Sequence, residues 1–193
     1  MNILILNWRD IKNPESGGAE ILTHELAKRF VINGHEVTQF TSQFPNCPTE
    51  QTVDGVKIIR RGSSRFRSFQ RPVHLEAFLW FIRQKGKNYD VVIDEIHGIP
   101  FFTPFYVRQK KIALICEVAQ EIWDVAFPFP LNLIGRFIEN NYFKFYKKIP
   151  FLTISPSTKL DLGKMGIENQ NITVLPMGLY IPGQIKNYPI EKT

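Results

Sequence analysis

Two stretches near the start of the chain decide the fold: Asn2-Ile3-Leu4-Ile5-Leu6-Asn7 and Glu15-Ser16-Gly17-Gly18-Ala19-Glu20. The first is an apolar run of strand length, and a helical pattern follows the second. A strand that turns through paired glycines into a helix brings backbone N–H groups and the positive end of the helix dipole to one place, where an anion can bind. The glycines equally suit a positive-φ turn and a close approach of strand and helix, so both interpretations stay open.

The glycine spacing also bears on cofactors. The G-x-G-x-x-G pattern of dinucleotide folds is absent, and residues 8–16 form a longer loop than that fingerprint uses. This disfavours a nicotinamide or flavin enzyme, and we expect no cofactor.

Strand-like segments alternate with helical patterns along the rest of the chain. Strands are predicted at residues 2–7, 36–41, 56–61, 91–94, 111–116, 151–154 and 172–175, and helices at 18–33, 71–85, from 132 onward and after Ser155. The inner strands are short β-branched or leucine runs, which are typical of parallel strands covered on both faces. We therefore predict an α/β fold, a Rossmann-like doubly wound parallel sheet with one core.

Composition narrows the class of protein. Of 193 residues 44% are hydrophobic, no apolar run approaches the roughly 20 residues of a membrane span, and the start lacks the features of a secretory signal. Cys47 and Cys116 are too few for a disulfide framework, which indicates a reducing cytoplasm.

The net charge of +6 is unevenly distributed. Five arginines lie between residues 60 and 71, and three lysines between 144 and 148. Such patches suit nucleic acid, an anionic membrane or phosphorylated small molecules. No recognised nucleic-acid fold accompanies the arginines, so we expect no nucleic-acid partner.

Chemistry-bearing residues follow three predicted strands. They are Gly17 and Gly18 after the first strand, Glu95 and His97 after residues 91–94, and Glu117 and Glu121 after residues 111–116. Ligands of an open parallel sheet bind at the carboxyl ends of its strands, so we expect these residues to share one rim. No acidic cluster has the spacing of metal ligands, and no metal site is predicted.

The segment 121–149 is unusually rich in aromatic residues. From Asn132 onward a helix puts one set of apolar side chains on one side: Ile134, Phe137, Ile138, Tyr142, Phe145 and Ile149. We expect this side to be core. The alternative is that residues 123–133 extend the apolar surface beyond the fold and, with nearby basic residues, dock on a bilayer; both can hold at different ends.

Five segments carry a resemblance to a known family. They are Gly17-Gly18-Ala19-Glu20, Gly34-His35-Glu36-Val37, Tyr89-Asp90-Val91-Val92, Ile154-Ser155-Pro156-Ser157 and Ile172-Thr173-Val174-Leu175-Pro176-Met177-Gly178. In this order they resemble the amino-terminal domain of family-4 retaining glycosyltransferases of GT-B fold. The resemblance implies that residues 1–178 are the acceptor-side domain, and residues 179–193 a linker or tail towards a carboxy-terminal donor domain, in cis or in trans.

The resemblance also implies roles for individual residues. Gly17 and Gly18 would face the diphosphate or the transferred sugar of the donor. The acceptor side would include His97, Glu95 and Glu121, and Arg65 and Arg67 would hold a lipid-linked or phosphorylated acceptor at the membrane surface.

Two departures from the family pattern matter. Many members have a histidine near the transferred sugar where this chain has Cys116, which is followed by Glu117, a catalytic candidate. A thiol cannot replace imidazole as a hydrogen-bonding partner, so no catalytic residue is assigned. The paired glutamates that bind the donor belong to the carboxy-terminal domain, and no sequence remains to form them.

The implied function is transfer of a hexose from a nucleotide-sugar, with retention of configuration, to a lipid-linked or cell-surface glycan. The protein would be cytoplasmic and peripheral on the inner face of the cell membrane, and the isolated chain would be inactive. The competing interpretation is a non-catalytic binding module for a sugar, an anionic lipid or a protein partner.

Overall fold

A computed structural model of the chain describes residues 1–64, 70–84, 89–120, 122–176 and 178. Its strands are β1 (Asn2–Leu6), β2 (Glu36–Thr41), β3 (Glu50–Val53), β4 (Val56–Arg60), β5 (Val91–Ile96), β6 (Lys110–Ile115), β7 (Phe151–Thr153) and β8 (Ile172–Val174). Its α-helices are α1 (Gly18–Ile32), α2 (Val73–Arg83), α3 (Ile122–Ala126), α4 (Leu131–Tyr146) and α5 (Pro156–Lys164), and short 3-10 turns lie at Thr103–Phe105 and Asn169–Asn171. Arg65, Arg67, Glu121 and residues 179–193 fall outside the described residues.

The strands form one sheet in the order β3-β4-β2-β1-β5-β6-β7-β8. All neighbours pair in parallel except β3 with β4. From β1 the chain moves outward to β2 and β4 and then returns to β5 on the other side of β1. The switch point of the topology, where a crevice opens in folds of this kind, therefore lies between the carboxyl ends of β1 and β5.

Helices cover both faces of the sheet, which confirms the predicted doubly wound architecture. In β1, Ile3 and Ile5 pack with Ala27 of α1, whereas Leu4 and Leu6 pack with the residues of α2. The α4 helix lies on the same face as α2, where its aromatic residues pack on β6 and β7. Burial on two faces explains why β1 is a continuous apolar run.

The edge strand β3 is absent from the sequence-based prediction. It pairs antiparallel with β4 through a turn at Asp54 and Gly55, whose φ values are 49° and 81°. Positive φ at both central residues is the type I′ geometry that matches the twist of a hairpin. The Nε2 atom of His24 on α1 lies 2.8 Å from Oδ2 of Asp54 and ties the hairpin to the helix.

The inward side of α4 differs from the predicted one. The buried residues are Gly135, Glu139, Tyr142, Phe143 and Tyr146. Tyr142 and Ile149 are buried as expected, but the prediction is wrong for Ile134, Phe137 and Phe145, which are exposed. The helix is rotated because Glu139 binds N–H groups beneath it and Gly135 packs directly on Trp123.

Candidate functional site

The carboxyl ends of β1 and β5 meet at an aromatic stack. Trp8, two residues after β1, lies over the ring of His97, which directly follows β5; the centroids are 5.1 Å apart and the planes 16° from parallel. The guanidinium of Arg9 lies 4.2 Å from the centroid of the Trp8 ring, and its Nη2 is 2.7 Å from Oε2 of Glu15. The switch point is thus lined by side chains from both strands.

A buried carboxylate holds His97. Oε1 of Glu95 is 3.0 Å from Nε2 of His97, and Oε2 accepts a 2.5 Å hydrogen bond from Oγ1 of Thr23 on α1. Burial raises the pKa of Glu95, and the bonds from His97 and Thr23 oppose that shift. In the neutral tautomer that donates from Nε2, the lone pair of His97 is on Nδ1, where a ligand hydroxyl can donate to it.

The first turn of α1 already contains a carboxylate. Oε2 of Glu20 accepts from the backbone N–H of Gly17 at 2.7 Å, and Oε1 accepts from Nε1 of Trp8 at 2.8 Å. The first intrahelical bond of α1 runs from the N–H of Ile21 to the carbonyl of Gly17, so the amides of Gly18 and Ala19 precede it. Glu20 therefore occupies part of the predicted anion position, and these two amides remain at its edge.

The structural explanation for the paired glycines is wrong. Neither Gly17 nor Gly18 has a positive φ. A Cβ atom on Gly18 would meet nothing within 4 Å, so no close approach of protein atoms needs glycine there. The open space above Gly18 is consistent with the ligand-binding interpretation, which stays a prediction.

A buried ion pair fixes the loop between β1 and α1. Asp10 accepts from Nε and Nη2 of Arg60 at 2.8 and 2.9 Å, and both side chains are fully buried. Nη1 of Arg60 also donates to the carbonyl of Pro48 at 3.1 Å. Because a bidentate pair fixes geometry as well as distance, this loop is held in one position at the rim.

Cys116 follows β6 at the same rim. Burial, followed by the charges of Glu95, Glu117 and Glu20, raises the pKa of Cys116 to about 12. The side chain is therefore a neutral thiol at physiological pH and does not act as a thiolate nucleophile. Glu117 is exposed to solvent beside it.

The loop after β6 is attached to α4 by a second buried carboxylate. Glu139 accepts from the N–H groups of Ala119 and Gln120 at 2.8 and 2.7 Å, and from Nε1 of Trp123 at 3.0 Å. The Trp123 ring lies so close to Gly135 that a Cβ there would be 2.3 Å from it. A Cβ on Gly98, which has a φ of 72°, would be 2.9 Å from the same ring, so Trp123 joins the loops after β5 and β6.

Sequence reasoning missed one further buried network. Oδ2 of Asp94 accepts from the hydroxyls of Thr103 and Tyr146 at 2.7 and 2.5 Å, and Oδ1 accepts from the N–H of Phe101 at 2.9 Å. Burial raises the pKa of Asp94 against these bonds. The signal in the sequence is an acidic residue inside an apolar strand, which needs partners on neighbouring elements.

The structure thus gathers Glu95, His97, Cys116 and the Gly17 turn at one rim, with Glu117 exposed at its edge. Glu121, Arg65 and Arg67 lie outside the described residues. Among the residues described, no three His, Cys, Asp or Glu side chains are grouped as metal ligands. The same residues include no helix that is long and apolar enough to cross a membrane.

Solved structures of glycosyltransferases share this fold. Sucrose-phosphate synthase from Thermosynechococcus elongatus has a TM-score of 0.65 at 14% identity, and the match covers 92% of this chain and 48% of that one. A glycosyltransferase from Rickettsia africae ESF-5 has a TM-score of 0.60 at 20% identity, with 92% and 43% covered. A shorter structure of the Thermosynechococcus elongatus synthase has a TM-score of 0.59 at 14% identity, with 92% and 90% covered.

The chain spans about half the length of the first two structures. At these identities the likeness shows the fold alone, and it confirms the Rossmann-like sheet expected for one half of a GT-B enzyme. No curated protein matches the chain. The family model of Glycosyltransferase Family 4, however, matches residues 16–180. Because this match covers most of the length of the chain, the chain belongs to Glycosyltransferase Family 4.

Proposed function

We propose that this chain is the acceptor-binding half of a retaining glycosyltransferase that uses a nucleotide-sugar and acts on a lipid-linked or cell-surface glycan. The observation that carries the proposal is the open rim at the switch point, where Glu95 holds His97 beside Trp8. The family supplies the reaction class, and the rim supplies groups that accept hydrogen bonds from sugar hydroxyls.

The electrostatics of the rim favour a sugar over a diphosphate. Glu20 and Glu95 are buried there and Glu117 is exposed, so the rim is acidic, and Glu117 and Nδ1 of His97 are hydrogen-bond acceptors at its surface. A neutral glycan brings donors to these acceptors, whereas a diphosphate meets like charge at Glu20. We therefore propose that the donor's diphosphate is bound mainly by a second domain, and that no cofactor or metal is held by this half.

The reaction would gain mostly from positioning. His97 and Glu95 orient the acceptor, and the facing domain neutralises the leaving diphosphate, so that the two substrates meet in a fixed geometry. The free thiols of Cys47 and Cys116 support the proposal that the protein works in the cytoplasm. A lipid-linked acceptor would place it at the inner face of the cell membrane.

Binding of acceptor to the 193-residue chain tests the proposal. The probe is a polyprenyl diphosphate-linked monosaccharide in detergent micelles, and the readout is tryptophan fluorescence, to which Trp8 contributes at the rim. We expect His97→Ala to weaken binding about tenfold or more, because one well-aligned hydrogen bond to the sugar is lost. His35→Ala is the matched control and should leave binding unchanged, because His35 directly precedes β2, at the end of the sheet opposite the rim.

Two results would contradict this division of labour. One is acceptor binding that is indifferent to His97→Ala. The other is tight calorimetric binding of nucleotide-sugars by the chain alone, since the proposal gives donor binding to another domain.

One observation favours the alternative of a non-catalytic binding module. Cys116 is a neutral thiol at the position where the family resemblance expects an imidazole. If a donor domain supplied in trans restores transfer by the wild type or by Cys116→His, the chain is half of an enzyme. If neither transfers sugar while acceptor binding persists, the chain is a binding module.

A further inference from the structure

An exposed apolar surface lies on the α2 and α4 side of the sheet. We call it the aromatic face and define it by Phe78 and Ile82 of α2, Phe105 of the first 3-10 turn, and Ile134, Phe137 and Phe145 of α4. Phe137 is 69% exposed, Phe105 63% and Phe145 54%. Large aromatic side chains that are exposed together indicate an interaction surface, because exposing apolar area to water is unfavourable.

Ring contacts join the three elements into one surface. The rings of Phe105 and Phe145 pack edge to face with centroids 4.8 Å apart, which connects the 3-10 turn to α4. Phe78 packs on Tyr106 at 5.2 Å, which connects the same turn to α2. Between α2 and the turn lie a cleft of about 540 Å³, with Arg108 at its wall, and a smaller one of about 260 Å³.

The orientation of α4 explains why this surface exists. Glu139 and Tyr146 face the sheet, and Phe137, two residues before Glu139, lies about 200° around the helix from it. The described part of the chain places nothing over Phe137. Other residues of α4 fill its inward side, so Phe137 and Phe145 are left exposed on its outward side.

The charges around the aromatic face are mostly basic. The only acidic residues in α2, residues 101–110, α3 and α4 are Glu76, Asp124 and Glu139. Glu76 is paired with Arg71 and Asp124 with Arg136, and Glu139 is buried. Arg108, Lys144 and Lys148 are exposed on the same elements or directly after them.

We propose that the aromatic face docks on an anionic lipid bilayer, with its phenyl rings in the acyl-chain boundary and Arg108 and Lys144 at the headgroups. Exposed aromatic side chains bordered by basic residues are the features of a helix that lies in the membrane interface. A second copy of the chain fits less well, because two basic faces repel each other. The inference rests on the proposed function, since it places the rim next to a lipid-linked acceptor.

Flotation of the 193-residue chain with lipid vesicles tests the inference. Vesicles of phosphatidylcholine are compared with equal mixtures of phosphatidylcholine and phosphatidylglycerol. We expect flotation with the anionic vesicles at low salt and release as salt rises, because screening weakens the attraction. Phe137→Ser should lower the vesicle partition coefficient about tenfold through lost apolar burial, and Lys144→Glu about thirtyfold through two charge units.

Ile32→Ser is the matched control, because Ile32 is 73% exposed at the end of α1 on the opposite face of the sheet. The inference is overturned if Ile32→Ser weakens flotation as much as Phe137→Ser does. It is also overturned if the wild-type chain does not float with anionic vesicles. A dimer in light scattering that Phe137→Ser dissociates overturns it as well, since the face then binds another copy. The vesicles contain no acceptor, so failure here leaves acceptor binding in detergent, the test of the proposed function, unaffected.

Discussion

Replacing Glu139 by Gln tests how the loop after β6 is held. Glu139 accepts three N–H bonds of 2.7 to 3.0 Å while almost fully buried. Glutamine retains one oxygen, which best takes the place of Oε2 and serves Gln120 and Trp123. Its NH₂ group then faces the N–H of Ala119, so one bond is lost and two become neutral.

The expected cost follows from these contacts. A hydrogen bond to a charged group contributes about 1.5–3 kcal/mol, and a neutral one about 1 kcal/mol. Loss of one charged bond and weakening of two should lower the free energy of unfolding by about 3 kcal/mol. With a slope of about 2 kcal/mol per molar urea, the unfolding midpoint should fall by about 1.5 M.

Urea unfolding followed by tryptophan fluorescence measures this change. Glu25→Gln is the control, because Glu25 forms a partly exposed pair with Arg29 on α1, and its loss should cost less than about 0.5 kcal/mol. Hydrogen exchange gives a local readout: the amides of Ala119 and Gln120 should exchange faster in Glu139→Gln. A variant as stable as the control, with unchanged exchange at both amides, would refute the reasoning.

Three other perturbations have expected outcomes. Burial lowers the pKa of His74 to about 4, so the unfolded chain binds a proton before the folded chain does as pH falls below about 6.5. Between pH 7 and pH 4 the free energy of unfolding of the wild type should therefore fall by about 3 kcal/mol more than that of His74→Gln, as measured by urea titration at each pH. Cys116 should resist iodoacetamide at pH 8 in the folded Cys47→Ser chain and react once unfolded, by mass spectrometry, because its pKa is about 12. Arg60→Met should lower the free energy of unfolding by about 3–5 kcal/mol, because it leaves Asp10 charged and buried without a partner. Adding Asp10→Asn to this variant should recover part of the loss.

Each of these has a result that contradicts it. Equal pH dependence in wild type and His74→Gln would mean that the imidazole is not neutral and buried. Alkylation of the folded chain at Cys116 would mean that the thiol is accessible and ionised. An Arg60→Met variant as stable as the wild type would mean that the pair contributes nothing to holding the loop.

The central sheet follows from the sequence because its strands are simple. In β1, alternate residues face α1 and α2, and burial of both sets makes the whole run apolar. The β3 strand does not follow from apolar runs because Glu50–Val53 is polar, as an edge strand exposed to water can be. Asp54-Gly55 was the available signal, since this dipeptide favours a type I′ hairpin.

The inward side of α4 differs from the predicted one because apolar periodicity treats every polar residue as outward. Glu139 faces inward because three N–H groups beneath the helix need an acceptor. Gly135 faces inward because Trp123 leaves no room for a Cβ atom. Both reasons depend on contacts between segments that a one-dimensional pattern does not contain, and Phe137 and Phe145, which the pattern assigns to the core, are exposed as a result.

Only part of the rim follows from the sequence, for a similar reason. Glu95 and His97 lie two residues apart at a strand end, so their proximity follows from the sequence, but the stack of His97 on Trp8 requires that β1 and β5 be neighbours. The same adjacency brings Glu95 towards Glu20, whose carboxylate already uses the Gly17 amide. An anion site inferred from the glycines alone omits this charge. We therefore expect a neutral sugar to bind at the rim without further positive charge. A diphosphate should bind only where a facing domain supplies the compensating positive charge.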